Sequence, residues 1–124
     1  MTKRPVNLSL WTMHFPVMAI VSILHRASGV VLFLFIPALL AVLDRSLKSE
    51  ESFNRLALFF SHSITKFFIW SFLVALLYHV LAGIRHLVMD IGIAETLRGG
   101  KNSSFIVLGL SGLGAVMLGV WLWH

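Results

Sequence analysis

The stretch FFIWSFLVALLYHVLAGI (residues 67–84) runs for 18 residues without a formal charge. A helix needs about 20 mainly apolar residues to cross roughly 30 Å of hydrocarbon, so this segment is nearly long enough alone. Two further uncharged windows are Gly29–Leu43, with 15 residues, and Phe105–Trp123, with 19. The first is long enough only if its helix begins earlier, near Ser22. The sequence therefore predicts an all-α membrane protein with three transmembrane helices, over about 22–43, 65–89 and 105–123.

The composition favours lipid as the surrounding solvent. Of 124 residues, 58% are hydrophobic and 12% are charged, and the mean hydropathy is +0.91, whereas about a quarter of a soluble domain is charged. The length predicts one domain over residues 1–124. No cysteine is present, which excludes disulfides, zinc fingers and thiolate-held clusters. The net charge of +5 comes from basic residues at the ends of apolar runs. Because such residues set membrane topology, nucleic acid is not an expected partner.

The segments between the spans are predicted from their polar content. LSLWTMHFPVMAI (residues 8–20) is expected to be a short interfacial segment, because His14 and Pro16 interrupt its apolar run and no signal-peptide cleavage site follows. Asp44–Lys66 is predicted to be a polar connection. Asp90–Ser104, which contains the turn-forming RGGKNSS, is predicted to join the second and third spans.

The basic residues predict the orientation. Three spans put the N-terminus and the second connection on one side of the membrane, with six Lys and Arg residues against four on the other. The richer side faces the cytoplasm or the mitochondrial matrix. Its six residues are Lys3, Arg4, Arg26, Arg85, Arg98 and Lys101.

Two groups of residues in the spans, one small and one aromatic, are predicted to have structural rather than chemical roles. On the third span, Ser111, Ala115 and Gly119 form a small-xxx-small row that permits close helix contact. The aromatic start of the second span, from Phe67 through Trp70 to Phe72, is expected to face lipid.

Ionisable side chains within spans are costly and usually face a partner or a cavity. On the first span, Ser22, His25, Arg26 and Gly29 fall on one helical stripe at i, i+3, i+4 and i+7. The stripe has two interpretations. Arg26 could simply extend to the headgroups beside a helix-start serine. Alternatively, the hydroxyl and the guanidinium could both donate to a molecule that carries carbonyl oxygens.

The second span carries His79, Gly83 and His86 on one stripe, with Arg85 and Asp90 near its exit. His79 lies about 16 Å below Asp90 at 1.5 Å per residue and is the most deeply placed titratable group. A neutral imidazole at this depth could be an axial ligand to haem iron, with Gly83 leaving room for the flat macrocycle. The alternative is that His79 is hydrogen-bonded to a neighbouring helix. For haem propionates nearer the surface, the candidate cationic partners are Arg26, His25 and Arg85.

Three segments show a family resemblance. RPVNLSL (4–10), FPVMAIVSILHRASG (15–29) and YHVLAGIRHLVMD (78–90) closely resemble the cytochrome b large membrane-anchor subunits of succinate dehydrogenase, respiratory complex II. The resemblance covers nearly the whole chain. The paired signatures S-x-x-H-R-x-S-G and H-x-x-x-G-I-R-H are specific in combination.

The resemblance implies roles for individual residues. His79 matches the axial ligand of haem b, and Ser22 and Arg26 match ubiquinone-site residues. His25 matches the histidine beside them that approaches a haem propionate. Arg85 and His86 follow the same motif and are carried over as propionate or interface residues.

The resemblance also implies partners. A smaller anchor subunit would supply the second haem ligand and complete a haem-binding bundle, and an iron–sulfur subunit beneath a flavoprotein would deliver electrons from succinate. The chain would lie in a bacterial or mitochondrial inner membrane and would form part of an enzyme rather than a complete one.

Two other functions stay open from the residues. One is a haem-free structural anchor of a fumarate reductase-type complex. The other is a small proton-relay transporter that uses His79, Arg85 and Asp90.

Overall fold

The computed structural model describes residues 16–124, and this part of the chain contains helices but no strands. Three of its helices are long and apolar enough to cross a membrane, which confirms the predicted all-α membrane fold. The predicted interfacial segment lies largely outside the described residues. The four helices are α1 (Val17–Lys48), α2 (Glu50–Ser61), α3 (Ser63–Asp90) and α4 (Leu97–Trp123).

Helix α4 begins well before the uncharged window that predicts it. The turn prediction for RGGKNSS was wrong, because Thr96 caps a helix that runs through these residues, its Oγ1 accepting from the backbone N–H of Gly99 at 3.0 Å. Gly100 has a packing reason to be glycine. A Cβ there would overlap the sulfur of Met18, so its absence lets α4 approach α1.

The segment predicted to be a polar connection contains a helix of its own, α2. Ser49 caps it, its Oγ accepting from the backbone N–H of Ser52 at 3.0 Å, and Glu50 and Glu51 occupy the first turn, where negative charge is favourable. The preceding helix α1 continues past its apolar run to Lys48, so only Ser49 separates α1 from α2. The connection is therefore a tight helical hairpin.

A small buried core joins the three long helices. Its hydrophobic members are Val21 on α1, Tyr78 and Ala82 on α3, and Val107 on α4. Most large apolar side chains of the long helices are exposed on the isolated chain, as expected for surfaces that meet lipid or another subunit.

The small-residue row of α4 does pack against α3. Trp70 donates from Nε1 to the backbone carbonyl of Ala115 at 2.8 Å, and a Cβ at Gly119 would lie 3.4 Å from the same nitrogen. The expectation that Trp70 faces lipid was therefore wrong. Its indole N–H would lack an acceptor in hydrocarbon, and the carbonyl of Ala115 supplies one.

Candidate functional site

Two histidines from different helices stack at the centre of the site. The rings of His25 on α1 and His79 on α3 have centroids 4.3 Å apart and an interplanar angle of 17°. Both side chains are partly buried. The stripe on the first span and the stripe on the second thus meet through these two rings.

Ser28 connects the two histidines. Its Oγ donates to the backbone carbonyl of His25 at 2.7 Å and lies 2.9 Å from Nδ1 of His79. The same Nδ1 is 3.3 Å from the carbonyl oxygen of His25. Ser28 is buried, with 8% of its surface exposed, so these contacts are shielded from competing donors.

The contacts around His79 favour one tautomer. The carbonyl oxygen of His25 can only accept, so Nδ1 must carry a proton to form that bond. The Ser28 hydroxyl gives its own proton to the same carbonyl and keeps lone pairs to accept from Nδ1. All three contacts are satisfied at once when His79 is protonated on Nδ1, which leaves Nε2 with a free lone pair.

Such an arrangement matches the chemistry of a metal-ligating histidine. A ligating imidazole usually donates its second N–H to a carbonyl or similar acceptor, which fixes the ring orientation and raises its basicity. Among the described residues, no three His, Asp or Glu side chains converge on one point that could hold a metal ion. A single imidazole nitrogen with a free lone pair is what haem iron takes from a histidine, so the chemistry of His79 fits that group.

Two glycines border the stacked rings. A Cβ at Gly29 would lie 3.2 Å from Cε1 of His79, closer than side chains normally approach. A Cβ at Gly83 would lie 3.5 Å from Nε2 of His25, an ordinary contact. Gly29 thus makes room for the His79 ring itself, while Gly83 lies beside His25.

Tyr78 joins α3 to α1 close to the stacked histidines. Its hydroxyl donates to the backbone carbonyl of Val21 at 2.6 Å, and both residues are buried. These residues directly precede His79 and Ser22 in the chain. The bond therefore holds the Ser22 end of α1 in register with the His79 region of α3.

Ser22 and Arg26 lie on the exposed side of α1. The predicted single stripe is therefore divided, because His25 and Gly29 face His79 on α3 while Ser22 and Arg26 do not. Their hydroxyl and guanidinium point away from this chain's own core, where a ligand or another subunit can reach them.

Arg85 and His86 are not brought to the stacked histidines by any described contact. Arg85 binds α4 instead, through Nε to the Ser103 hydroxyl at 3.0 Å and through a terminal nitrogen to the carbonyl of Gly100 at 3.3 Å. His86 is exposed, and its Nε2 lies 3.8 Å from a carboxylate oxygen of Asp90. In this structure Arg85 joins α3 to α4.

Reasoning from the sequence missed Ser28 and Tyr78. Ser28 had a usable signal, because it lies one turn beyond His25 and is polar within an apolar helix. Tyr78 was hidden, since its hydroxyl bonds to a backbone atom 57 residues away in sequence.

Comparisons with known proteins place this geometry in a context. The family model described as "Succinate dehydrogenase/Fumarate reductase transmembrane subunit" matches residues 1–123. The chain is 47% identical over 122 residues to the succinate dehydrogenase cytochrome b556 subunit of Coxiella burnetii, covering 98% of each chain. It is 36% identical over 90 residues to the cytochrome b560 subunit of Porphyra purpurea, covering 71% of this chain and 72% of that one. It is also 32% identical over 121 residues to the cytochrome b556 subunit of Rickettsia typhi, covering 98% and 91%.

Proposed function

The chain belongs to the succinate dehydrogenase/fumarate reductase transmembrane subunit family, and we propose that it binds haem b and forms part of a ubiquinone site. A subunit of this family works in an assembly with other chains. The observation that carries the haem proposal is the set of contacts on Nδ1 of His79. These contacts favour a proton on Nδ1, so the lone pair of Nε2 is available to bind iron.

His79 would supply one ligand to the iron, and the smaller anchor subunit would supply another. Haem supplies a one-electron carrier when bound. The roles of this chain's residues are to orient and to balance charge. Ser28 and the carbonyl of His25 fix the His79 ring, while His25 and Arg26 offer polar groups to the acidic propionates.

Ser22 and Arg26 would bind the quinone headgroup from the exposed side of α1. Ser22 would donate to one carbonyl oxygen and orient the ring. Arg26 would stabilise the negative charge that develops on a quinone oxygen as electrons arrive, an effect that a low-dielectric site strengthens. Two electrons and two protons then convert ubiquinone to ubiquinol.

The electrons would come from an iron–sulfur subunit bound beneath a flavoprotein that oxidises succinate. Because Arg26 lies near the start of α1, this donor would dock on the same side of the membrane as the N-terminus. We assign that side to the cytoplasm, or the matrix of a mitochondrion, from the distribution of Lys and Arg. A reporter fused after His124 should then be detected on the opposite side of the inner membrane.

The haem proposal is tested by optical spectroscopy of the purified complex. The reduced-minus-oxidised spectrum should show b-type absorption, and His79→Ala should abolish it. His124→Ala is the matched control, because it removes an exposed imidazole at the far end of α4 and should leave the absorption intact.

Other outcomes would support the alternatives. An active complex without b-type absorption would identify a haem-free anchor. Isolation of the chain as a lone homo-oligomer, without a flavoprotein, would favour a proton-relay transporter.

A further inference from the structure

A second candidate site is a partly open cavity between α1 and α2, at the opposite end of α1 from the stacked histidines. A cavity of about 480 Å³ lies between the two helices, within the range of ligand pockets. Its lining includes three cations, Arg45 and Lys48 from the last turns of α1 and Arg55 from α2, together with Ser52. Among the residues that the structure describes, those lining the cavity include no acidic side chain.

The acidic neighbours of these cations lie outside the cavity. Lys48 contacts Asp44 at 3.0 Å, and Arg55 contacts Glu51, but all four side chains are largely exposed. Exposed pairs of this kind contribute little free energy, so they do not keep the cations from an anionic ligand. Arg45 adds a third positive charge to the same lining.

The apolar part of the lining is arranged in a particular order along both helices. On α1, Ala41 and Val42 precede Arg45 and Lys48 along one face, at helical spacing. On α2, the polar residues Ser52 and Arg55 come first, and the apolar residues come second. Those apolar residues are Leu56 and Phe59.

Because α2 folds back along α1 at Ser49, the polarity of the lining decreases with distance from the turn on both walls of the cavity. The polar residues lie nearest the turn, and the apolar residues lie farther from it on both walls. On α1, the apolar end continues into the transmembrane run, so it points into the membrane. A ligand that matches this gradient has an anionic head at the turn and a hydrocarbon portion extending into the bilayer.

We propose that the cavity between α1 and α2 binds one anionic phospholipid, with its phosphate near Arg45, Lys48 and Arg55 and an acyl chain along Val42, Leu56 and Phe59. Phosphate is a favourable partner for clustered Arg and Lys. Free inorganic phosphate could use the cations but not the apolar walls.

Native mass spectrometry of the intact complex tests this proposal. The delipidated complex is titrated in detergent with phosphatidylglycerol or with phosphatidylcholine, and the fraction that carries one bound lipid is measured. We expect preferential binding of phosphatidylglycerol. Arg45→Gln and Arg55→Gln should each weaken that binding about fivefold, since each juxtamembrane cation contributes at about this level.

Lys66→Gln is the matched control, because it removes one cation near the start of α3, on the same side, without touching the cavity lining. It should leave the preference unchanged. Equal binding of the two lipids, or an equal loss in Lys66→Gln, would overturn the site. Displacement of phosphatidylglycerol by inorganic phosphate at equal concentration would overturn the lipid as occupant. The fraction of complex that carries a bound lipid does not depend on haem content, so this test is independent of the proposed redox function.

Discussion

The hydroxyl of Tyr78 lies 2.6 Å from the backbone carbonyl oxygen of Val21, so α1 and α3 are joined one residue before both His79 and Ser22. This hydrogen bond therefore helps to position both the candidate iron ligand, His79, and the candidate quinone residue, Ser22. It is formed by a side chain that takes no part in the proposed chemistry.

Tyr78→Phe should lower the stability of the complex without removing haem. The change deletes one buried hydrogen bond between helices, worth about 0.5–1.5 kcal/mol. Thermal unfolding followed by circular dichroism should show a lower midpoint. Ser71→Ala is the control, because its hydroxyl donates only within α3, to the carbonyl of Phe67. A midpoint shift of the same size in both variants would contradict the role of the Tyr78 bond.

Ser28→Ala should weaken haem retention while the complex still assembles. The hydroxyl supports the Nδ1 side of His79, and the loss of such an outer partner typically costs about 10- to 100-fold in affinity for the bound group. The rate of haem transfer to an acceptor such as apomyoglobin measures this effect.

Ser46→Ala is closely matched to Ser28→Ala. Both hydroxyls belong to α1 and donate to the carbonyl three residues earlier, but only Ser28 contacts His79. Haem loss at the wild-type rate in Ser28→Ala would argue that the His79 ring does not need this contact.

Gly29→Ala should disturb the His79 ring. The added Cβ would lie 3.2 Å from Cε1, so the imidazole must move by a few tenths of an ångström. We expect a shifted or diminished b-type absorption. Gly109→Ala, where nothing on this chain lies within 4 Å of the new Cβ, should leave the spectrum unchanged. Identical spectra in the two variants would count against haem ligation by His79.

Arg26→Leu should lower quinone reductase activity by about a hundredfold, the usual effect of removing one donor to a developing negative charge. Succinate oxidation by an artificial acceptor should persist, because that reaction does not pass through the quinone site. Arg98→Leu removes an exposed cation from the first turn of α4 and should affect neither assay. Equal loss of both activities in Arg26→Leu would indicate failed assembly instead.

The three spans could be predicted from the sequence because lipid imposes a simple requirement, a long apolar helix without charge. The ends of the helices could not. RGGKNSS has the composition of a turn, yet a helix capped by Thr96 runs through it. Contacts such as that of Arg85 with the carbonyl of Gly100 join residues far apart in the sequence, so composition does not reveal them.

The candidate site was predicted in a similar, partial way. Helical spacing placed His25 and His79 in the same half of the membrane but predicted His79 to lie deeper, whereas the structure stacks their rings with centroids 4.3 Å apart. Spacing could not show that Arg85 turns toward Ser103 on α4, since a side chain at a helix exit can reach several neighbours.

The sparse polar contacts between the long helices have a consequence for how this chain can change over evolutionary time. Lipid does not distinguish leucine from valine or phenylalanine, so outward-facing positions are free to drift among them. Sliding α3 by a single turn past both of its neighbours would instead break the Tyr78 bond to Val21, the Ser28 contact with His79 and the Trp70 bond to Ala115 together. We therefore expect substitutions to be widely tolerated at the lipid-facing positions and poorly tolerated at the residues that form these interhelical hydrogen bonds.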